Sequence, residues 1–513
     1  MLSQNVAVLD ACAVAAAVVL CVFLRRRGQK SLPRPPGPPG RPIIGNLLQI
    51  PSTRLWERAA EWGKEYGDLI FIEAVGMPIL IINSYETAVE LVNKRSSIYS
   101  SRPHITMPCD LEKWGWKTSL VPYGDELRRQ RYYLHRFFQS PKVLNYIEIQ
   151  MKETHTMLKR VLEDPDDYGK YVRRLPGSVI LMNVYGHKVD SEDDSFMKVA
   201  EASVKSNAEA NNYLFLDFLP MLRYLPRWFP GVNFHKVAEE GLRLSQSFRN
   251  DPIETTKRKL SDGTARECMT TMLFNENTNE DGSIKEEQTF CDAAATAYLG
   301  GSSTSVTAIM TFILAMLKNP EVQRKAQEEI DAVVGNERLP LFGDREQLPY
   351  VRAVCTEVLR WEIITPLAPP HSTTTDDEFR GYSIPSGTMV LINSWAMTRD
   401  ENMYPEPTKF KPERWLPGGI KGVMNPARPE DIAFGYGRRV CPGQSWAEHI
   451  LFIAASSILA SFNIEKATGP DGIPIPPNDD YAPDFIRSVG PSKCKITPRS
   501  EKIASLIRQT IVD

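Results

Sequence analysis

The sequence predicts a mainly α-helical protein with a few small β-sheets, built as a single large domain behind an N-terminal transmembrane anchor. Three observations lead there. Apolar residues recur at the helical period over Ser84–Lys94, Pro141–Leu162, Phe234–Leu260, Glu286–Leu317 and Pro320–Val334. Strand-type alternation is confined to Leu69–Glu73 with Ile79–Ile82, and to Thr388–Asn393. No Gly/Ser linker or internal repeat interrupts the 513 residues, so one domain is simpler than the several that length alone allows. The polar stretch Asn275–Asp281 reads as a solvated loop.

The anchor is residues 1–27. Val6 to Leu24 is apolar except for Asp10, and Arg25-Arg26-Arg27 follows at once. As a helix this run reaches roughly 28 Å, close to the hydrocarbon thickness of a bilayer. A cleaved signal peptide would carry its positive charge before the apolar run and a small-residue cleavage site after it. Here the charge comes after, which favours a retained single-pass anchor with the remainder of the chain in the cytosol. Residues 28–42 form a Pro/Gly-rich hinge, Leu32-Pro33-Arg34-Pro35-Pro36-Gly37-Pro38-Pro39-Gly40 at its centre. Prolines at this density favour a semi-rigid extended spacer; a disordered linker or an SH3-type ligand has the same composition. The catalytic domain then occupies 43–513.

Composition narrows the function. Lys+Arg 61 against Asp+Glu 63 leaves a net charge of −2, so bulk charge points to no nucleic-acid partner. The 8 cysteines show neither metal-ligand spacing nor a short disulfide framework and suit a reducing compartment.

The strongest local signal is Phe434-Gly435-Tyr436-Gly437-Arg438-Arg439-Val440-Cys441-Pro442-Gly443. Glycines allow a tight turn and close approach to a flat macrocycle. Pro442 is pre-set for the first turn of a helix, and the apolar run Ile450–Ala455 continues it. A sulfur at a helix start gains N–H donors and dipole stabilisation, which favour the thiolate. Cys268, Cys291 and Cys355, in apolar surroundings, read as ordinary buried residues. Upstream, Glu357 and Arg360 stand at i and i+3 on one helix face, and Pro412-Glu413-Arg414-Trp415 follows. The long helix carries Gly300-Gly301-Ser302-Ser303-Thr304-Ser305, a weak point or a site of close packing. Arg128, Arg129 and Arg136 form a charge run of the kind that usually faces solvent.

Taken in order, E-x-x-R, P-E-R-[FW] and F-x-x-G-x-R-x-C-x-G resemble the core motifs of the cytochrome P-450 family, over nearly the whole chain. Microsomal, fungal-type members are the nearest in pattern. The resemblance implies the cytochrome P-450 fold and haem b with Cys441 as the axial metal ligand, and Phe434, Gly437 and Gly443 shape its loop. It implies propionate contacts from Arg131, His371 and Arg439, and a structural ion network of Glu357, Arg360 and Arg414. Thr304, with Ser303 and water, would manage protons in catalysis. Substrate would meet Ile105, Met107, Ala297, Leu299, Leu367, Ala368, Phe485 and Ile486, and Tyr213–Phe218 with Trp228-Phe229 would line an access channel dipping into the membrane lipid.

Two positions depart from the family pattern. Ser303 stands where an acid is usual, and a serine passes a proton through water but does not supply one as a carboxyl does. Leu127 replaces the tryptophan of W-x-x-x-R and so loses an N–H donor, while Arg131 remains. The implied reaction is insertion of one oxygen atom of O2 into a small hydrophobic molecule. Electrons come from NADPH indirectly, through a reductase, with cytochrome b5 as a second candidate partner, at the endoplasmic reticulum membrane. The helix of Arg131, with its further arginines, is the candidate docking patch for an acidic reductase. Among substrate classes a fungal secondary metabolite such as a terpenoid or indole is preferred over a xenobiotic. A peroxygenase or isomerase on the same fold, or a haem-binding protein without turnover, are the alternatives that Ser303 and Leu127 leave open.

Overall fold

A 32-residue helix, Glu287–Lys318, runs through the body, mostly buried over 289–298 and wholly buried over 307–317. The computed structural model describes residues 32–138, 144–191, 193–230, 232–419 and 426–510. The expected anchor, residues 1–27, lies outside them. Among the described residues one helix is long and apolar enough to cross a membrane, and it is this central one, embedded in protein rather than exposed to lipid.

Helices Asp125–Phe138, Tyr168–Tyr185 and Gln444–Ser461 pack along the central helix, and Phe234–Ser261 lies over Ser195–Ala210. Tyr168–Tyr185 is buried on nearly all sides and contains Pro176, so it shows neither an amphipathic stripe nor an unbroken helical sequence. The expected loop at Asn275–Asp281 is partly helix: Met269–Asn277 continues one turn into it, because Phe274 and Leu273 anchor that turn in the core.

The strands are few and short. Strands β1 (Leu69–Ala74) and β2 (Met77–Ile82) form a hairpin. Its two turn residues, Val75 and Gly76, have φ of 49° and 82°, the left-handed pair that matches strand twist. The two-residue β3 (His371–Ser372) pairs with β6 (Met389–Ile392), which runs parallel to β2, giving the order β1-β2-β6-β3. The hairpin β4 (Asp377–Phe379) and β5 (Tyr382–Ile384) and the pair β7 (Phe462–Lys466) and β8 (Cys494–Pro498) complete the inventory.

From Leu32 onward the proline-rich segment is extended but fastened to this body. Ser383 N donates to Pro33 O at 2.8 Å and Phe71 N to Pro36 O at 2.9 Å. Arg34 Nη1 reaches the hydroxyl of Ser383 at 3.0 Å. A Cβ on Gly37 would lie 2.1 Å from Phe71 O, so only glycine lets the segment pass the strand this closely. Residues 32–42 therefore line the sheet instead of standing off it as a free spacer.

Candidate active site

Gly435 and Gly437, at φ 82° and 54°, turn the cysteine loop, and a Cβ on Gly437 would meet Val92 O at 2.4 Å. Gly437 N donates to Asn93 Oδ1 at 2.6 Å, and Cys441 N closes the loop on Phe434 O at 2.8 Å. Gly443 caps the helix Gln444–Ser461, so Cys441 stands two residues ahead of it. Burial pushes the Cys441 thiol up, against the Gly443 N–H and the Arg131 guanidinium, which pull it down. The Gly443 N–H at the helix start and the Arg131 guanidinium therefore both favour the thiolate at this position, while burial works against it.

Beside this loop lies a group of cations. Arg131 Nη2 donates to Val440 O at 2.8 Å, the carbonyl just before Cys441. Arg439 is buried and spends one N–H each on Ser100 O (2.7 Å), Thr118 O (3.1 Å) and Val121 O (2.7 Å). His371 Nδ1–H donates to Tyr99 O at 2.7 Å. A fourth member, Arg102, was not among the residues read from sequence. It is buried, gives Nη1 to both Pro369 O and Pro370 O at 2.6 Å, and leaves Nε without a partner. Its carbonyl partners lie more than 260 positions away, so no local pattern announces it.

Burial and mutual repulsion push these groups down: Arg439 to about 9, chiefly by burial and then by Arg131. Arg102 falls well below its ordinary value by burial, with Arg439 and Arg131 adding to it. His371 is likewise driven down by burial and Arg102, so its ring is neutral and, with Nδ1–H given to Tyr99 O, Nε2 is an acceptor. No carboxylate features among the charges acting most strongly on any of the four. A buried cationic set with spare N–H groups and no protein anion fits a ligand that carries carboxylates at one edge. Leu127, one turn before Arg131, is buried and contributes no donor.

On the central helix, Gly300 is exposed and a Cβ there would meet nothing within 4 Å, whereas Gly301 packs so closely that its Cβ would lie 3.0 Å from Ile180. The two glycines thus do different things: one opens the helix surface, the other seats the helix on Tyr168–Tyr185. Thr304 Oγ1 donates to Gly300 O at 2.9 Å, leaving its lone pairs turned outward. Ser303 is part-buried, and its carbonyl accepts from the Thr307 hydroxyl at 3.3 Å.

Glu357 and Arg360 are both wholly buried and joined through Nε–Oε2 (2.9 Å) and Nη2–Oε1 (2.7 Å). Arg360 also caps the carbonyls of Thr398, Pro407 and Lys409, while Glu357 accepts from Lys411 N and Trp415 Nε1. Arg414 Nε stands 3.4 Å from Glu357 Oε1.

The residues expected to meet substrate differ in burial and belong to different packing clusters. Ile105, Leu299, Leu367 and Ile486 are part-buried, and Ala297 is packed into the main core. Met107 sits in a separate cluster with Leu216 and Phe234. Ala368 packs with Tyr99 and Tyr436, and Phe485 is 44% exposed. The docking patch is corrected too. Arg128 pairs with Asp125, Arg129 with Glu126 at 2.7 Å and Arg136 with Glu276 at 2.8 Å, so the helix presents mixed charge rather than a basic face.

A cysteine held by a glycine-turned loop, a neighbouring cationic set and a central helix opened at Gly300 fit the class of haem-thiolate proteins. The family model Cytochrome P450 matches residues 35–485. The chain is 40% identical over 500 residues to the cytochrome P450 monooxygenase COX2 of Coprinopsis cinerea, covering 96% of this chain and 94% of that one. It is similar also to the monooxygenase ple1 of Rhodocybe pseudopiperita (36% over 506 residues, 97% and 95% covered). With claR of Ampulloclitocybe clavipes it shares 37% over 478 residues, 92% and 88% covered. The chain belongs to the cytochrome P450 family, as a monooxygenase of its fungal kind.

Proposed function

We infer that the chain inserts one atom of O2 into a small hydrophobic molecule, a fungal secondary metabolite such as a terpenoid or indole. NADPH supplies the electrons through a reductase. The observation that supports this best is the cationic set beside Cys441, which pairs with no carboxylate among the described residues and suits the propionate edge of haem b. When bound, a thiolate-ligated haem supplies oxygen activation by favouring O–O cleavage.

The chain's own residues do the rest. Cys441 Sγ would ligate the haem iron, and Arg131 braces the carbonyl before it. Arg102, Arg131 and Arg439 would hold the propionate edge with the N–H groups left over from their backbone contacts, and a protonated His371 Nε2 would join them. The Glu357–Arg360–Arg414 network fixes the strands of chain beneath the cysteine loop. Gly300 opens the surface of the central helix, where the Thr304 hydroxyl would hold a proton with Ser303 and water as the route in.

The stretch 214–229 supports a location at a membrane: Met221 is 83% exposed and Trp228 80%, with Tyr224 and Phe229 beside them. Apolar side chains in this density on a surface mark contact with lipid or protein. With the apolar run before Arg25, this favours the endoplasmic reticulum membrane with the catalytic domain on its cytosolic side.

Membranes carrying the chain and a reductase, given NADPH, labelled dioxygen and a panel of terpenoids and indoles, test the proposal. One labelled oxygen in a product is the expected result. Product with peroxide but none with NADPH would favour the peroxygenase reading, which Ser303 keeps in play, over the monooxygenase.

A further inference from the structure

The segment between the cationic set and the central helix contains a buried acid and a buried base that do not reach each other. Glu112 is wholly buried, and both its carboxylate oxygens lack a hydrogen-bond partner. Lys117 is buried as well, its ammonium held 4.4 Å from the ring centre of Trp114, and it makes no ion pair among the described residues. The Trp114 indole N–H faces the carboxylate without reaching hydrogen-bonding geometry. Buried polar groups are nearly always satisfied, so a matched acid and base left apart point to something that fits between them.

Their position ties them to the chemistry. Thr118, next to Lys117, gives its carbonyl to Arg439 and takes its N–H and hydroxyl to Thr296, one turn before Gly300. On the other side Glu112 fills the space over Gly241, where a Cβ would come within 2.6 Å of its carboxylate carbon. The pair thus sits in the wall between the cofactor-edge residues, the opened part of the central helix and the helix Phe234–Ser261. Burial pushes the Glu112 carboxyl up to about 7 and the Lys117 amine down to about 8, each partly offset by the other.

We propose that Glu112 and Lys117 form a polar subsite of the substrate pocket that binds a hydroxyl group on an otherwise apolar molecule. A hydroxyl accepts from an ammonium and donates to a carboxylate at once. A carboxylate would satisfy Lys117 and repel Glu112, and a hydrocarbon would leave both unpaired. The substrate therefore arrives already oxygenated, so the reaction class that supplies it is a hydroxylation or hydration of the parent skeleton. This rests on the proposed function, since it places the subsite in that pocket.

Matched probes test it: farnesene with farnesol, and cedrene with cedrol, titrated into the haem-loaded full-length chain. Binding is read from the shift in haem absorption, without turnover. The alcohols are expected to bind at least about tenfold more tightly than their hydrocarbons, because a site built for a hydroxyl rejects the analogue lacking it. That preference is expected to vanish in Glu112→Gln/Lys117→Met, and to shrink in each single variant. Haem content and unfolding temperature matching the parent confirm that these near-isosteric variants fold. No preference for the alcohols, including no binding by any probe, overturns the inference. So does equal weakening of both members of a pair, which would mark a structural role. The proposed function fails on a different result, bound probes that recover no labelled oxygen with NADPH and reductase.

Discussion

Arg360 grips Glu357 through two hydrogen bonds, at 2.9 and 2.7 Å, with neither side chain reaching solvent. The fork geometry matters more than the charge. The same guanidinium reaches three backbone carbonyls on the segment 398–409, so it ties a helix to a long irregular stretch that has little regular structure of its own. Arg360→Lys keeps the charge and loses the fork, stranding Glu357 oxygens and those carbonyls in the interior. We expect a loss of about 3 kcal/mol or more. The measurement is thermal unfolding together with haem per chain; a variant that unfolds and loads like the parent would contradict the role assigned to the network.

Gly437→Ala tests the cysteine loop. Its φ of 54° disfavours a Cβ, and the 2.4 Å approach to Val92 O leaves no room for one. Conformational strain alone costs about 1–2 kcal/mol, and the clash with a backbone atom adds to it. Because the loop shapes the approach to Cys441, the expected outcome is a chain that folds with reduced haem content and a weakened thiolate-type ferrous–carbonyl spectrum. Gly435→Ala, with only Arg439 O at 3.7 Å nearby, is expected to cost less.

What the sequence made legible is chiefly what acts over short spans. The loop at Cys441 needs glycines at fixed places, and Glu357 and Arg360 sit one helical turn apart. Arg102 escaped because its partners are carbonyls contributed by Pro369 and Pro370, which carry no side-chain signature. The arginine run at 128–136 misled for the converse reason: Glu276 comes from another helix, and Asp125 and Glu126 fold back within one turn. The packing of Met107 against Leu216 and Phe234 is a tertiary effect with no local signal in the sequence.

His449 gives a pH dependence. Burial first, and then Arg345, push its imidazole down to about 4, and Nδ1 has no partner. The unfolded chain titrates near 6.5. Between those values the unfolded state binds a proton that the folded state refuses, so stability is full above about 6.5, falls as the pH drops and levels off near 4. The sum is about 3 kcal/mol at most. Urea unfolding across this range should show that slope, and His449→Gln should flatten it; an unchanged slope in the variant would assign the effect to other groups.

Ser303→Asp puts a carboxyl beside the Thr304 hydroxyl, which stands 2.9 Å from Gly300 O at the opening of the central helix. Two views of Ser303 diverge here. If protons reach Thr304 through water and Ser303 only relays them, a carboxyl shortens the route, and a larger share of reducing equivalents ends in product. The share lost as hydrogen peroxide should then fall about twofold or more, with the products unchanged. If serine instead sets a different reaction, the acid should change which products form. We expect the first outcome, because the hydroxyl of Thr304, the opening at Gly300 and the cysteine loop are all in place, and a serine in the chain of donors slows proton arrival without redirecting it. The ratio of NADPH consumed to product and peroxide formed, read alongside product mass, separates the two; a new product class in the aspartate variant would reverse the assignment.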